Sequence, residues 1–241
     1  MNTNFMVHTS NGSIFEIDLD KPNWAQLIDD KTWVGPHYSF FSEIIKGRSY
    51  ECPLLDIEEG DIVVDLGANI GVFSRLALAE KKASKVIAIE PHLINFNCLI
   101  LNNGMNKNFS AYPFAISDNV GSILMPIGNA ETEWHFTMAN MDTKFPSSMI
   151  PCLTYSMDSL FESKIFEHID FLKVDIEGAE VKMFEGLSDE NLNKIAKIVI
   201  EYHYPLESIR MLKNRLSTMF DIVGVVENSY DLEIYFYKRR N

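Results

Sequence analysis

The sequence predicts an open, mostly parallel α/β fold, and three observations carry that prediction. Short continuous apolar runs recur at 62–65, 86–90, 171–175 and 198–202, each ending in polar residues, as strands buried on both faces of a parallel sheet do. Between them, 72–80, 93–102 and 179–186 carry apolar residues at helical spacing, so the chain reads as βα repeats joined by right-handed crossovers. A length of 241 residues fits one such domain with short additions, without a second core.

Ahead of the repeats, Met6 to Thr9 and Ser13 to Ile17 alternate around Asn11-Gly12, a dipeptide that supplies the positive φ angles of a tight turn, and predict a β-hairpin. Trp24, Leu27 and Ile28, then Phe40, Phe41, Ile44 and Ile45, recur at helical spacing on either side of Gly35-Pro36 and predict two short helices. Residues 1–50 are therefore expected as an accessory unit or lid, and 51–241 as the main domain. At the other end, 221–227 and 232–237 flank Asn228-Ser229 and predict a hairpin that gives the sheet an antiparallel last strand. The least regular segment, 128–151, sets Trp134, His135, Phe136, Met138 and Met141 among polar residues; it reads either as a substrate loop or as an edge hairpin with packed aromatics.

Composition narrows the function. A hydrophobic fraction of 46% and a charged fraction of 23% are those of an ordinary globular protein. The formal charge of -13 repels phosphate backbones and anionic membranes, and the only basic run is Lys238-Arg239-Arg240, so no nucleic-acid partner is expected. Cys52, Cys98 and Cys152 form neither a CxxC pair nor a metal-ligand spacing and are expected as reduced, mostly buried thiols. No apolar run approaches the ~20 residues needed to span a bilayer, and no leader pattern opens the chain, so a cytoplasmic location is expected.

The strongest local signal is Val63-Val64-Asp65-Leu66-Gly67-Ala68-Asn69-Ile70-Gly71, a strand running into a small-residue turn and a helix. Gly67 and Gly71 would let backbone approach a ligand where open α/β sheets bind nucleotides. The GxGxxG spacing of dinucleotide folds is absent, as is the GKS or GKT ending of a P-loop, which disfavours a pyrophosphate ligand and a nicotinamide-dependent dehydrogenase. The next strand ends in Glu90-Pro91, placing a carboxylate where it can accept hydrogen bonds from both hydroxyls of a ribose.

Asp65-Leu66-Gly67-Ala68-Asn69-Ile70-Gly71, Glu90-Pro91 with Asn95 and Asn102, Ala115-Ile116-Ser117-Asp118, Lys173-Val174-Asp175-Ile176-Glu177-Gly178-Ala179-Glu180 and Glu201-Tyr202-His203 together resemble the FkbM family of methyltransferases, over about 61–203. The resemblance implies a class I methyltransferase, Rossmann-like fold with a seven-stranded, mostly parallel sheet and an antiparallel last strand. It implies S-adenosylmethionine as cofactor, S-adenosylhomocysteine as product, and hydroxyls of sugars or secondary metabolites as acceptors. Carried over residue by residue, Asp65, Gly67, Ala68, Asn69 and Gly71 would line the methionine part and Glu90 would hold the ribose. Pro91 and His92 would meet the adenosine edge, Ala115, Ser117 and Asp118 would seat the adenine, and Tyr50-Glu51 would help cover the methionine end. For Ser117-Asp118 the alternative is a helix cap or turn.

Strand alternation puts Glu201 and His203 on one face and Lys173 and Asp175 on another, with the strand ends converging. Asp175, Glu177, Glu201 and His203 are the candidate catalytic residues. A positioned base is worth ~10²–10⁴-fold for an alcohol acceptor, and His203 is the first choice, oriented by Asp175 or Glu201. The alternative is that Glu201 and His203 only cap their strand. The same side chains could hold a divalent metal, but their spacing matches no dedicated motif, so none is expected. A non-catalytic S-adenosylmethionine-binding module would lack these polar residues, and an N-methyltransferase would share them.

Overall fold

The computed structural model describes residues 4–8, 14–18, 44, 49–126, 149–203, 206–227 and 233–240. The expected N-terminal hairpin is present: β1 (Asn4–His8) pairs antiparallel with β2 (Ile14–Asp18), Met6 opposite Glu16. The two short helices expected before residue 46 lie outside the described residues, except that Ile44 packs against the core. The body of the candidate substrate loop, 127–148, also lies outside them.

The repeats follow in the expected alternation. The first half is β3 (Ile62–Leu66), α1 (Val72–Ala79), β4 (Lys85–Ile89), α2 (Leu93–Asn103) and β5 (Phe109–Tyr112). Then come β6 (Ala115–Ser117), β7 (Gly121–Pro126), β8 (Met149–Ser156) and α3 (Met157–Glu162). The second half is β9 (Ile169–Val174), α4 (Glu180–Glu185), α5 (Asp189–Leu192), β10 (Ile195–Glu201), α6 (Leu206–Leu216), β11 (Phe220–Glu227) and β12 (Glu233–Arg239).

Seven strands form the main sheet in the order β11-β12-β10-β9-β3-β4-β5. All neighbours from β10 to β5 pair parallel, while β12 runs antiparallel between β10 and β11, as the C-terminal hairpin predicts. Strand order departs in opposite directions on the two sides of the β3–β9 pair, which opens a crevice at their C-terminal ends. A separate three-stranded sheet, β6-β8-β7, carries the antiparallel pair that flanks 127–148.

Continuous apolar runs work here because both faces are covered. Val63, Phe171 and Val199 point to one side and pack with Phe73 and Leu76 of α1. Their neighbours Val64, Leu172 and Ile198 point to the other, with Met183 and Phe184 of α4 and Leu212 of α6. Each such side chain contributes about 1.5–3 kcal/mol on full burial. The three cysteines are free and buried, as expected. Among the described residues no helix is long and apolar enough to cross a membrane.

The glycines of the first turn have a reason within the protein itself. Gly67 and Gly71 both have positive φ, at 72° and 88°. A Cβ on Gly67 would lie 1.7 Å from the Asp175 carbonyl oxygen, and one on Gly71 would lie 2.2 Å from the Asn103 amide nitrogen. The space that a side chain would fill is thus taken by the protein itself, and the Gly67 contact joins β3 to β9 at the crevice. Gly67→Ala is expected to lower the unfolding free energy by roughly 2–5 kcal/mol, from left-handed strain plus overlap with backbone. A urea midpoint equal to that of the wild type would show that the two strand ends can part at no cost.

Candidate active site at the strand ends

The site is built on an acid in an apolar strand. Asp65 has no exposure; it accepts from Ser74 Oγ at 2.6 Å and pairs with Lys173 Nζ at 3.2 Å. Lys173 also donates to the Gly67 carbonyl at 3.0 Å and lies 3.3 Å from Asp175 Oδ2. Burial alone would lower the Lys173 ammonium, but Asp175 and Asp65 outweigh it and hold the group above its ordinary range. Asp65 therefore braces the turn through Ser74 and Lys173.

The turn above is tied down by its own backbone and by two asparagines. Gly67 N and Ala68 N both donate to the Ile89 carbonyl at 3.0 Å. Asn102 Nδ2 donates to Ile70 O at 2.8 Å and Asn103 Nδ2 to Gly71 O at 3.1 Å. Asn69 adopts a left-handed φ of 49°, and its N–H donates to Glu90 Oε2 at 2.8 Å. The other oxygen, Glu90 Oε1, accepts from His92 N at 2.8 Å, so Glu90 clasps the turn on one side and the start of α2 on the other. Burial pushes the Glu90 carboxyl up to about 7, against these two backbone hydrogen bonds.

The adenine candidates divide. Ala115 is buried against Cys152, whose thiol is raised first by burial and also by the charge of Glu90, so Ala115 sits on the Glu90 side. Ser117 Oγ instead donates to Asp118 Oδ1 at 3.0 Å, and Asn119 donates to the same oxygen. The Asp118 backbone abuts Gly186 at the end of α4, where a Cβ would meet its carbonyl at 2.4 Å. Ser117 and Asp118 thus sit together in a local turn after β6.

The four catalytic candidates do converge. Beyond β9, Asp175 N donates to Leu66 O at 3.2 Å, and Glu177 and Gly178 turn the chain with φ of 52° and 97°. Glu180, with no exposure, opens α4; its Oε1 accepts from Gly178 N at 3.1 Å and lies 2.9 Å from His203 Nδ1. That contact aims Nε2 of His203 at three carboxylates: Glu177 and Glu201 at 3.6 Å and Asp175 at 3.9 Å. Burial lowers the imidazole pKa, but the Glu180 hydrogen bond and the charges of Asp175, Glu177 and Glu180 raise it to about 10. His203 is an imidazolium at neutral pH.

Sequence reasoning missed Glu180 as the ring's anchor and misplaced Tyr50. The Tyr50 hydroxyl lies 2.9 Å from Asp175 Oδ2 and 2.5 Å from Glu201 Oε2, deep among the carboxylates rather than over the turn. Glu180 stood in the quoted string and needed only its pairing to His203; no local signal gives Tyr50, which is 125 and 151 residues from its partners. Asp175, Glu177 and His203 present ligand atoms within 4.8 Å of one another, a spacing that a divalent cation could bridge.

A sequence model of the methyltransferase FkbM domain matches residues 65–226. The hexuronic acid methyltransferase AglP of Haloferax volcanii is 28% identical over 155 residues, 62% of this chain and 59% of its own length. The 31-O-demethyl-FK506 methyltransferase FkbM of Streptomyces tacrolimicus is 24% identical over 190 residues, 68% of this chain and 73% of that protein. Among solved structures, a methyltransferase FkbM from Methylobacillus flagellatus superposes with a TM-score of 0.56 at 20% identity, over 82% of this chain and 48% of that one. The chain thus spans about half the length of that solved chain. Strand order and superposition agree on the class I methyltransferase fold.

The protonated histidine has a measurable sign. Its folded pKa of about 10 lies above the ordinary 6.5, so its stabilising contribution is complete below 6.5 and is lost as pH rises through about 10. Urea unfolding of the wild type should therefore weaken over that interval relative to His203→Gln, in which the histidine's contribution is absent throughout. Parallel pH profiles for the two proteins would rule out a charged His203.

Proposed function

The chain belongs to the FkbM methyltransferase family, and on that premise we propose that it is an S-adenosylmethionine-dependent methyltransferase acting on a hydroxyl of a sugar or secondary-metabolite acceptor. The observation that carries this reading is the meeting of Asp175, Glu201 and His203 at the strand ends, beside the turn that Glu90 clasps.

The residues fit the cofactor. Each Glu90 oxygen holds one backbone N–H and keeps a lone pair for a ribose hydroxyl, and its buried carboxylate, pushed up to about 7, would gain from such donors. Gly67, Ala68, Asn69 and Gly71 shape the turn toward the methionine part, Pro91 and His92 the adenosine edge, and Ala115 the adenine side. The cofactor supplies a methyl group already activated on a sulfonium, so the protein's work is alignment and proton removal.

We assign the proton-accepting role to the Asp175–Glu201 pair in place of His203. An imidazolium has no lone pair to take a proton, whereas held by Glu180 it can fix the carboxylate oxygens that face the acceptor. The names of the relatives, a hexuronic acid methyltransferase and a 31-O-demethyl-FK506 methyltransferase, support an oxygen acceptor. The charge of -13 supports a small acceptor over a polyanion.

Calorimetric titration with S-adenosylmethionine, S-adenosylhomocysteine and NAD tests the cofactor. The first two are expected to bind and NAD is not; the reverse would end this reading. Glu90→Ala should weaken both complexes by roughly ten- to a hundredfold, the worth of lost charge-assisted hydrogen bonds. Asp175→Asn should leave cofactor binding intact and slow methyl transfer to a screened hydroxylated acceptor by ~10²–10⁴-fold.

A further inference from the structure

Among the described residues, the strand ends leave one buried ring nitrogen without a hydrogen bond. The His203 side chain is 6% exposed and its Nδ1 is taken by Glu180 at 2.9 Å. Its Nε2 faces Glu177 Oε2 and Glu201 Oε1 at 3.6 Å and Asp175 Oδ1 at 3.9 Å. Each separation is too long for a hydrogen bond. They suit atoms that share a central ion instead, since ligands ~2.0–2.3 Å from one centre lie roughly 3–4 Å from each other. Asp175, Glu177 and His203 bring one ligand atom each within 4.8 Å of the other two.

Two of these three side chains are also held from behind, as metal ligands are. Glu180 grips the far nitrogen of the His203 ring and fixes its orientation. Asp175 divides its oxygens: Oδ2 accepts from the Tyr50 hydroxyl at 2.9 Å and meets Lys173 at 3.3 Å, while Oδ1 lies on the His203 side. The spacing in the sequence matches no dedicated motif because the set is assembled from two strands. The β9–β10 register sets Ile200 opposite Val174, so the residues just past the two strand ends become neighbours.

We propose that Asp175, Glu177 and His203 bind one divalent first-row cation. An imidazole among carboxylates suits Mn²⁺ or Zn²⁺ better than Ca²⁺, which takes oxygen ligands throughout. Loading exchanges the proton on Nε2 for the ion, because one lone pair serves either. Three protein ligands leave coordination positions open. What enters there rests on the methyl-transfer reading: an acceptor hydroxyl on the ion loses its proton more readily. The O–H bond breaks, the electron pair stays on the oxygen and the proton goes to Glu201, which lies beside the same nitrogen.

Mn²⁺ is the probe, titrated into chelator-treated protein and followed by the paramagnetic signal of the free ion, with neither cofactor nor acceptor present. About one ion per chain is expected to bind, with imidazole nitrogen coupling in its pulsed spectrum. Glu177→Gln, at a partly exposed turn, should weaken binding by roughly tenfold or more, and Glu180→Gln by ~10–100-fold through the ring that it orients. His203→Gln should remove the nitrogen coupling. No bound ion, a bound ion without nitrogen coupling, or equal affinity in the wild type and Glu177→Gln would overturn the inference, the last as the mark of an adventitious ion only. Calorimetry with S-adenosylmethionine on the same protein separates the two readings. Cofactor binding without Mn²⁺ binding would overturn the metal site alone; Mn²⁺ binding without cofactor binding would overturn the methyl-transfer reading and, with it, the ion's part in holding an acceptor.

Discussion

A single buried ammonium holds the two halves of the site in register. Lys173, on β9, spans Asp65 of β3, the carbonyl of Gly67 in the turn and Asp175 at the end of its own strand. Its side chain is 3% exposed and that of Asp65 not at all, so neither charge is hydrated to any useful degree. Such a pair adds little net stability over an apolar pair of equal size, yet removing one partner costs about 3–5 kcal/mol, because the other is left buried and alone. The arrangement is therefore better understood as a constraint than as a source of stability. It fixes where β3 and β9 end, and with them the turn that Glu90 clasps and the carboxylate of Asp175.

That constraint explains how far the sequence could be read. Apolar runs broken by one acid, such as Val63-Val64-Asp65-Leu66, already mark a strand with an unusual burden, and period-two alternation brings Lys173 to Asp175 and Glu201 to His203. Alternation also gives the strands of both hairpins, which pair antiparallel, while the connections between them lie outside the described residues. What it hides is whatever depends on a distant partner. Gly67 answers to a carbonyl on Asp175 and Gly71 to a side chain on α2. The short strands of β6-β8-β7 pair across 127–148, so no contiguous pattern announces that sheet.

The protonation states were hidden for the same reason, and they alter the chemistry. A histidine two residues beyond a strand's last glutamate looks like a base when considered alone. Surrounded by Glu180, Asp175, Glu177 and Glu201, it becomes a cation, and its proton is the charge that lets those carboxylates sit together. Identity gave the cast of residues; only the count of charges around each one gave its part.

The same count bears on what the pocket favours. Among the described residues, Asp65, Asp175, Glu177, Glu180 and Glu201 meet Lys173 and His203 as cations, and Lys173 is shared between two of them. Carboxylates gathered this closely favour a positively charged group beside them over a neutral one. Tyr50 is suited to such a place because a phenol bridges two carboxylates without adding a charge of its own.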